Sequence, residues 1–157
     1  MLLVVDAQRG FISDSTSHAL PNIRRCTQAF DTVIATQFTA DTPEQFRKLL
    51  GWSGVSDGRL VPFVADGATA VIEKSRYSAA IEEVLSLLSD EPIYIVGFET
   101  DACVLATAFG LFDAGYRPIV VQDACATNAP EDTHEQALHV LRRNIGDKQV
   151  ITTQNVL

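Results

Sequence analysis

The stretch YIVGFETDACVLATAFG, residues 94–110, joins a strand to a helix through a short polar turn. Its first residues are apolar and β-prone, and the residues after Asp101 repeat at helical spacing. This unit places Cys103 in the first turn of the helix. Cys103 is therefore either a small core residue or a nucleophile, and the rest of the chain has to distinguish the two.

The same order of strand and helix repeats along the chain. Short apolar runs predict six strands, at residues 2–6, 32–38, 70–74, 93–97, 118–123 and 149–153. Helical patterns cover residues 20–30, 78–89, 101–115 and 130–146, and the last two run into a glycine that can cap the helix. Strands this apolar are covered on both faces, which predicts a parallel sheet inside a three-layer α/β sandwich.

Residues 39–69 carry a weaker pattern. PEQFRKLLGW (43–52) predicts a short helix, and a loop rich in Gly, Pro and Asp follows it. An irregular segment of this length in a compact α/β domain is often a lid or an oligomer contact. Trp52 fits either role.

The composition narrows the partners. The 157 residues carry a formal net charge of −8, which argues against nucleic acid and anionic membranes. No apolar run is long enough to span a membrane and strand-like sequence begins at Leu2, so we expect one cytoplasmic domain over residues 1–157. The three cysteines, Cys26, Cys103 and Cys125, form no C-x-x-C pair, so we expect free thiols and no thiolate zinc site.

Two charged residues end apolar strands. Ligands of such folds bind at the carboxyl ends of the strands, where Asp6 ends the first strand and Lys74 the third. Each has an ordinary interpretation, since an Asp often caps a turn and a Lys stem can lie along apolar surface. If both lie at one sheet edge, however, the ammonium can pair with the carboxylate.

The position of Cys103 favours function over packing. Unpaired N–H groups and the positive end of a helix lower thiol pKa values, and the same N–H groups can hold an oxyanion. Cys26 and Cys125 are interpreted as inert core thiols.

Four blocks of the sequence together resemble the isochorismatase-like cysteine hydrolases, a family that includes nicotinamidases and amidohydrolases of carbamoylsarcosine and ureidoacrylate. They are LLVVDAQRGF (2–11), VIEKSRYSA (71–79), GFETDACVLATA (97–108) and DACAT (123–127). The resemblance implies a six-stranded parallel sheet of order 3-2-1-4-5-6, in which strands 1 and 4 are neighbours and bring Asp6 and Cys103 to one crevice. It also implies a homodimer or a larger homo-oligomer.

By this resemblance Asp6, Lys74 and Cys103 are the catalytic triad of a hydrolase. Asp6 takes the thiol proton, Lys74 stabilises the charges, and Cys103 attacks an amide, ureide or carbamoyl carbonyl to give a thioester that water hydrolyses. The backbone N–H groups of Glu99 and Cys103 hold the oxyanion, and a cis peptide bond joins Phe98 to Glu99.

The sequence departs from the nicotinamidases where they hold a metal. Those enzymes carry D-x-H after the second strand and a further His, whereas this chain reads TQFTADTPEQF (36–46) and has no histidine between His18 and His134. We therefore expect no metal, no other cofactor and a small substrate other than nicotinamide. The candidate substrate-binding residues are Gln8, Phe11, Phe38, Trp52 and Tyr77.

Two other functions stay open. A catalytically idle relative would bind a ligand or a partner protein, and a crevice closed over Cys103 by Trp52 or another side chain would favour that function. A thiol redox sensor would need a resolving cysteine, for which Cys125 is the candidate.

Overall fold

The computed structural model describes residues 1–130 and 132–156 and has a six-stranded sheet at its centre. The strand order is β3-β2-β1-β4-β5-β6, and every neighbouring pair is parallel. The strands are β1 (Leu2–Val5), β2 (Val33–Phe38), β3 (Ala70–Lys74), β4 (Ile93–Phe98), β5 (Pro118–Ala126) and β6 (Val150–Ile151). The predicted sheet and its order are confirmed.

Helices cover both faces of this sheet. Within the described residues they are α1 (Leu20–Ala29), α2 (Glu44–Leu50), α3 (Pro62–Gly67), α4 (Glu82–Leu85), α5 (Leu105–Asp113) and α6 (Thr133–Ile145). None of them is long and apolar enough to cross a bilayer.

Two apolar cores lie on opposite faces of the sheet. Leu3 packs on one face, in a core that includes Leu111 of α5 and Leu138 of α6. The adjacent Leu2 packs on the other face, in a core that includes Ile23 of α1. Because both faces of the strands are buried, their sequences are apolar runs without polar alternation.

The helix predicted over residues 78–89 is wrong for most of its length. Only Glu82–Leu85 is helical. The preceding chain is held by a contact outside any helix, because the Ala79 N–H donates to Thr107 Oγ1 of α5 at 2.9 Å. The apolar spacing of this stretch reflects packing of an irregular segment on the core.

Two further boundaries differ from the sequence pattern. The helix predicted over residues 130–146 spans Thr133–Ile145, and residue 131 lies outside the described residues. The loop predicted through Asp66 and Gly67 contains the short helix α3, in which Pro62 occupies the first turn. Proline suits that position because its missing N–H would have no helical partner there.

Strands β1 and β4 end side by side and bring two chain segments together. Gly97 of β4 has φ +130°, and a Cβ at this position would collide with the carbonyl oxygen of Val5 in β1. Only glycine permits this close approach. Asp6, the residue after Val5, has φ +48°, a conformation rarely adopted by residues with a side chain. The sheet therefore delivers Asp6 beside the segment that follows β4.

Candidate active site

Asp6 and Lys74 form a buried ion pair at the carboxyl edge of the sheet. Lys74 Nζ lies 2.6 Å from Asp6 Oδ2, and neither side chain is exposed. Thr36 Oγ1 donates a hydrogen bond of 2.8 Å to the other carboxylate oxygen, Oδ1. The two strand ends singled out in the sequence are thus brought into direct contact.

The Lys74 ammonium has no hydrogen left for another acceptor. It donates to the carbonyl of Arg76 at 2.8 Å and to that of Tyr77 at 3.0 Å. Its third contact of this kind is the Cys103 Sγ, at 3.5 Å. An ammonium has three hydrogens, so these contacts fix the position of the charge between Asp6 and Cys103.

Asp6 Oδ2 combines a short contact with an open lone pair. Although Lys74 Nζ is 2.6 Å away, no aligned hydrogen bond reaches this oxygen from the described residues. The short contact is an ion pair, and three other acceptors, the Arg76 and Tyr77 carbonyls and the Cys103 sulfur, surround the same ammonium. Oδ2 can therefore accept a proton from a group facing it.

Cys103 lies in a π-helical turn, Thr100–Val104, that leads directly into α5. Only 4% of the surface of Cys103 is exposed. Burial raises the pKa of the Cys103 thiol and the Asp6 carboxylate raises it further, while Lys74 lowers it. The expectation of a lowered thiol pKa is therefore wrong, because burial outweighs the cation. The resting residue is a thiol that needs a base.

A histidine holds the turn that carries Cys103. Thr100 Oγ1, at the start of the turn, is 2.9 Å from Nδ1 of His134 in α6. Burial lowers the pKa of His134, so its ring is neutral at neutral pH. His134 thus ties the turn to α6. From the sequence alone, His134 was assigned no role in the site.

The peptide bond predicted to be cis is trans. Within the described ranges no peptide bond is cis, the Phe98–Glu99 bond included. The chain reverses instead through Gly97 and through Glu99, whose carbonyl accepts hydrogen bonds from the N–H groups of Ala102 and Val104. The resemblance was wrong on this bond. The oxyanion role of the Glu99 and Cys103 N–H groups stays a prediction.

A cavity of about 400 Å³ opens above Cys103. Four of the five predicted substrate-binding residues line it, namely Phe11, Phe38, Trp52 and Tyr77. Phe46 of α2 also lines it, and neither this residue nor its neighbour Leu50 was singled out in the sequence. Cys103 and Trp52 both belong to the lining.

Gln8, the fifth predicted substrate-binding residue, does not line this cavity. Its side chain is fully buried, its Nε2 donates to the carbonyls of Phe38 and Gly58, and its Oε1 accepts the Phe38 N–H. These bonds leave the amide no N–H group for a substrate. Gln8 instead ties the end of β2 to the loop around Gly58.

Residues 39–69 form one wall of the cavity. Helix α2 and the loop after it contribute Phe46, Trp52, Gly54, Val55 and Ser56. The lid that the sequence left open for this segment stays a prediction. On the outer side of α2, Leu49 is 81% exposed, and the oligomer contact proposed for this segment stays a prediction.

Polar groups sit at the opposite side of the cavity, where Glu99 and Asn128 line it. Glu99 accepts hydrogen bonds from Thr127 Oγ1 at 2.6 Å and from the Asn128 side chain at 2.6 Å. Thr127 Oγ1 also contacts the carboxylate of Asp101. Thr127 and Asn128 follow the last residue of β5, and that position at a strand end was the available sequence signal.

The sequence matches one known family along almost its whole length. The family model described as the isochorismatase domain matches residues 1–155. The chain is 39% identical over 59 residues to isochorismatase domain-containing protein 2 of Xenopus laevis, a match covering 37% of this chain and 29% of that protein. The chain thus spans less than a third of the length of that curated relative.

Solved structures share the fold. A nicotinamidase/pyrazinamidase of Acinetobacter baumanii is 22% identical with a TM-score of 0.77, covering 99% of this chain and 97% of that one. An isochorismatase-like hydrolase of Alkaliphilus metalliredigens is 19% identical with a TM-score of 0.79, covering 99% and 95%. At these identities the likeness establishes the architecture alone.

Proposed function

The chain belongs to the isochorismatase family, and from this premise we propose that it is a cysteine hydrolase that cleaves the C–N bond of a small amide, ureide or carbamoyl compound. The observation that carries the proposal is the contact of three groups under one cavity. Lys74 Nζ is 2.6 Å from Asp6 Oδ2 and 3.5 Å from Cys103 Sγ. Cys103 is also part of the cavity lining.

The first step forms a thioester. The Cys103 thiol transfers its proton to Asp6 Oδ2 as the sulfur attacks the substrate carbonyl carbon. The raised pKa of the thiol makes this coupled transfer necessary, because a free thiolate is scarce in the resting site. The N–H groups of Glu99 and Cys103 stabilise the oxyanion in the tetrahedral intermediate.

Collapse of this intermediate breaks the C–N bond. The leaving nitrogen takes the proton from Asp6 and departs as ammonia or an amine. Water then loses a proton to Asp6 and attacks the thioester carbonyl. The second collapse releases the carboxylic or carbamic acid, and the departing sulfur regains its proton from Asp6. Lys74 remains protonated throughout as the counter-charge for Asp6.

A panel of small amides, ureides and carbamoyl compounds tests the proposal through ammonia release. The expected result is turnover by the wild-type protein and its loss in Cys103→Ala. Cys125→Ala is the matched control, because Cys125 is buried with its Sγ against the Ile95 carbonyl and away from the cavity lining. Full turnover by Cys103→Ala would refute the proposal. No turnover of any panel member would favour the idle relative.

A further inference from the structure

Aromatic side chains make up much of the cavity lining. Phe11 and Trp52 stack at an interplanar angle of 16° with ring centroids 6.5 Å apart. Phe38 meets Trp52 edge-on at 5.1 Å, and Phe46 meets Tyr77 at 5.0 Å. Such a set of rings favours flat apolar groups, and the ring faces also attract cations.

No cationic side chain is available to an anionic ligand. Among residues 1–130 and 132–156, the cavity lining contains no Lys, Arg or His. Lys74 lies beneath it, but its hydrogens are directed at Arg76, Tyr77 and Cys103. A carboxylate that entered the cavity would lose its hydration and meet only a cation that Asp6 already pairs at 2.6 Å.

The side-chain amide of Asn128 uses both of its hydrogens in hydrogen bonds within the protein. Its two side-chain hydrogens go to the carbonyl of Phe11 at 2.9 Å and to Glu99 Oε1 at 2.6 Å. Its Oδ1 accepts the hydroxyl of Ser13 at 2.7 Å. This polar side of the cavity therefore presents the negative charge of Glu99 and no free amide N–H.

Glu99 belongs to the cavity lining, and its carboxylate keeps acceptor capacity. It receives three hydrogen bonds, from Asn128 Nδ2, Asn128 N and Thr127 Oγ1. A carboxylate has about four acceptor positions. Thr127 has one hydroxyl hydrogen and touches Asp101 as well as Glu99. When Thr127 donates to Asp101 instead, Glu99 keeps two hydrogen bonds, and in either case Glu99 has about one acceptor position or more left for a ligand.

We infer that this site selects its substrate by charge: it takes small flat amides whose remaining part is neutral or positively charged, and Glu99 rejects amides that also carry a carboxylate. The inference rests on the proposed hydrolase function for its biological meaning. The charge preference itself is a property of binding, which can be measured without turnover.

Trp52 supplies the signal for that measurement. It is the single tryptophan of the chain and lies in the cavity wall, so its fluorescence reports occupancy. In the Cys103→Ala protein, three matched ligands are titrated: benzamide, 4-(aminomethyl)benzamide, which is a cation, and 4-carbamoylbenzoate, which is an anion. We expect the anion to bind about tenfold or more weakly than benzamide, and the cation to bind at least as tightly.

Two variants separate the local charge from the net charge of the chain. Glu99→Gln should reduce severalfold the ratio between the dissociation constants of the anion and of benzamide. Glu91→Gln removes the same charge from an exposed residue outside the lining, and should leave the ratio of the two dissociation constants unchanged. Raising the salt concentration should also reduce this ratio, since salt screens the repulsion between the anionic ligand and Glu99.

The outcomes separate this inference from the proposed function. Binding of the anion as tight as that of benzamide, or equal effects of Glu99→Gln and Glu91→Gln, would overturn the inference even if the wild-type protein releases ammonia. Absence of saturable binding by all three ligands would overturn it as well. The expected binding order without any ammonia release would uphold the charge selection and refute hydrolysis.

Discussion

Asp6 directly follows β1 and Lys74 ends β3, 68 positions further along the sequence, and their charged atoms meet 2.6 Å apart with both side chains fully buried. At this edge of the sheet Asp6 Oδ2 has no aligned donor of its own among the described residues, and burial and the Asp6 charge together raise the pKa of the Cys103 thiol. The same buried pair contributes to stability and to the proposed chemistry, and the two contributions can be measured separately.

Lys74→Met should lower the free energy of unfolding by about 3–5 kcal/mol, because it leaves the Asp6 carboxylate buried without its partner. Urea denaturation measures this. Lys48→Met is the matched control, since Lys48 pairs with Glu44 at the surface, where both side chains are more than half exposed, and should cost about 0.5 kcal/mol or less. Equal losses in the two variants would show that the buried pair does not stabilise the fold.

Asp6→Asn should have opposite effects on thiol reactivity and on turnover. The Asp6 charge raises the pKa of the Cys103 thiol, so its removal lowers that pKa. Alkylation of Cys103 by iodoacetamide at pH 8 should therefore accelerate by about tenfold. Turnover should fall at least about 100-fold, because the general base is lost.

Peptide mass spectrometry measures the alkylation, with buried Cys26 and Cys125 as internal controls. Slower alkylation of Cys103 in Asp6→Asn would show that Asp6 already draws the proton away in the resting site. That result would contradict a resting thiol whose pKa the Asp6 charge raises.

Gln8→Leu should destabilise the protein without a direct loss of substrate contacts. The substitution removes three hydrogen bonds between Gln8 and the backbone of Phe38 and Gly58. Leaving those buried groups unsatisfied should cost about 1–3 kcal/mol per group. Gln28→Ala, at an exposed position of α1, is the control. A changed KM with unchanged stability would restore Gln8 as a substrate-binding residue.

Alkaline pH should destabilise the fold through its buried thiols. Burial is the main cause that raises the pKa of Cys26 from 9.0 to about 11. Between these values the unfolded chain releases a proton that the folded chain keeps, so stability present below pH 9 is lost as the pH rises. Urea denaturation from pH 8 to 11 should show this decline, and a smaller one in Cys26→Ala. An equal decline in both proteins would assign it to other groups.

The sheet was predictable because its strands are short apolar runs, and its order because the family that the four motif blocks resemble implies it. Residues 78–89 show where the pattern fails. Their apolar spacing is typical of a helix, yet Ala79 is held by Thr107 from α5, a contact between residues far apart in the sequence. Tertiary contacts of this kind leave no local signal.

The contact between Asp6 and Lys74 was predictable for a similar reason, since charged residues at the ends of apolar strands are conspicuous. The direction of the Cys103 pKa shift was not predictable from the sequence, because it depends on how deeply the turn Thr100–Val104 is buried. Gln8 was misassigned because a strand-end position does not reveal whether a side chain faces the cavity or the backbone. Glu99 was noticed only for its N–H, whereas its side chain borders the cavity.

The most direct test of the proposed mechanism is to look for the acyl group on Cys103 during turnover. An amide that releases ammonia is mixed with the wild-type protein, and the reaction is quenched in acid and examined by intact-protein and peptide mass spectrometry. We predict an added mass equal to the acyl group less one hydrogen, located on the peptide that contains Cys103. Steady release of ammonia with Cys103 unmodified, and retained in Cys103→Ala, would contradict the mechanism.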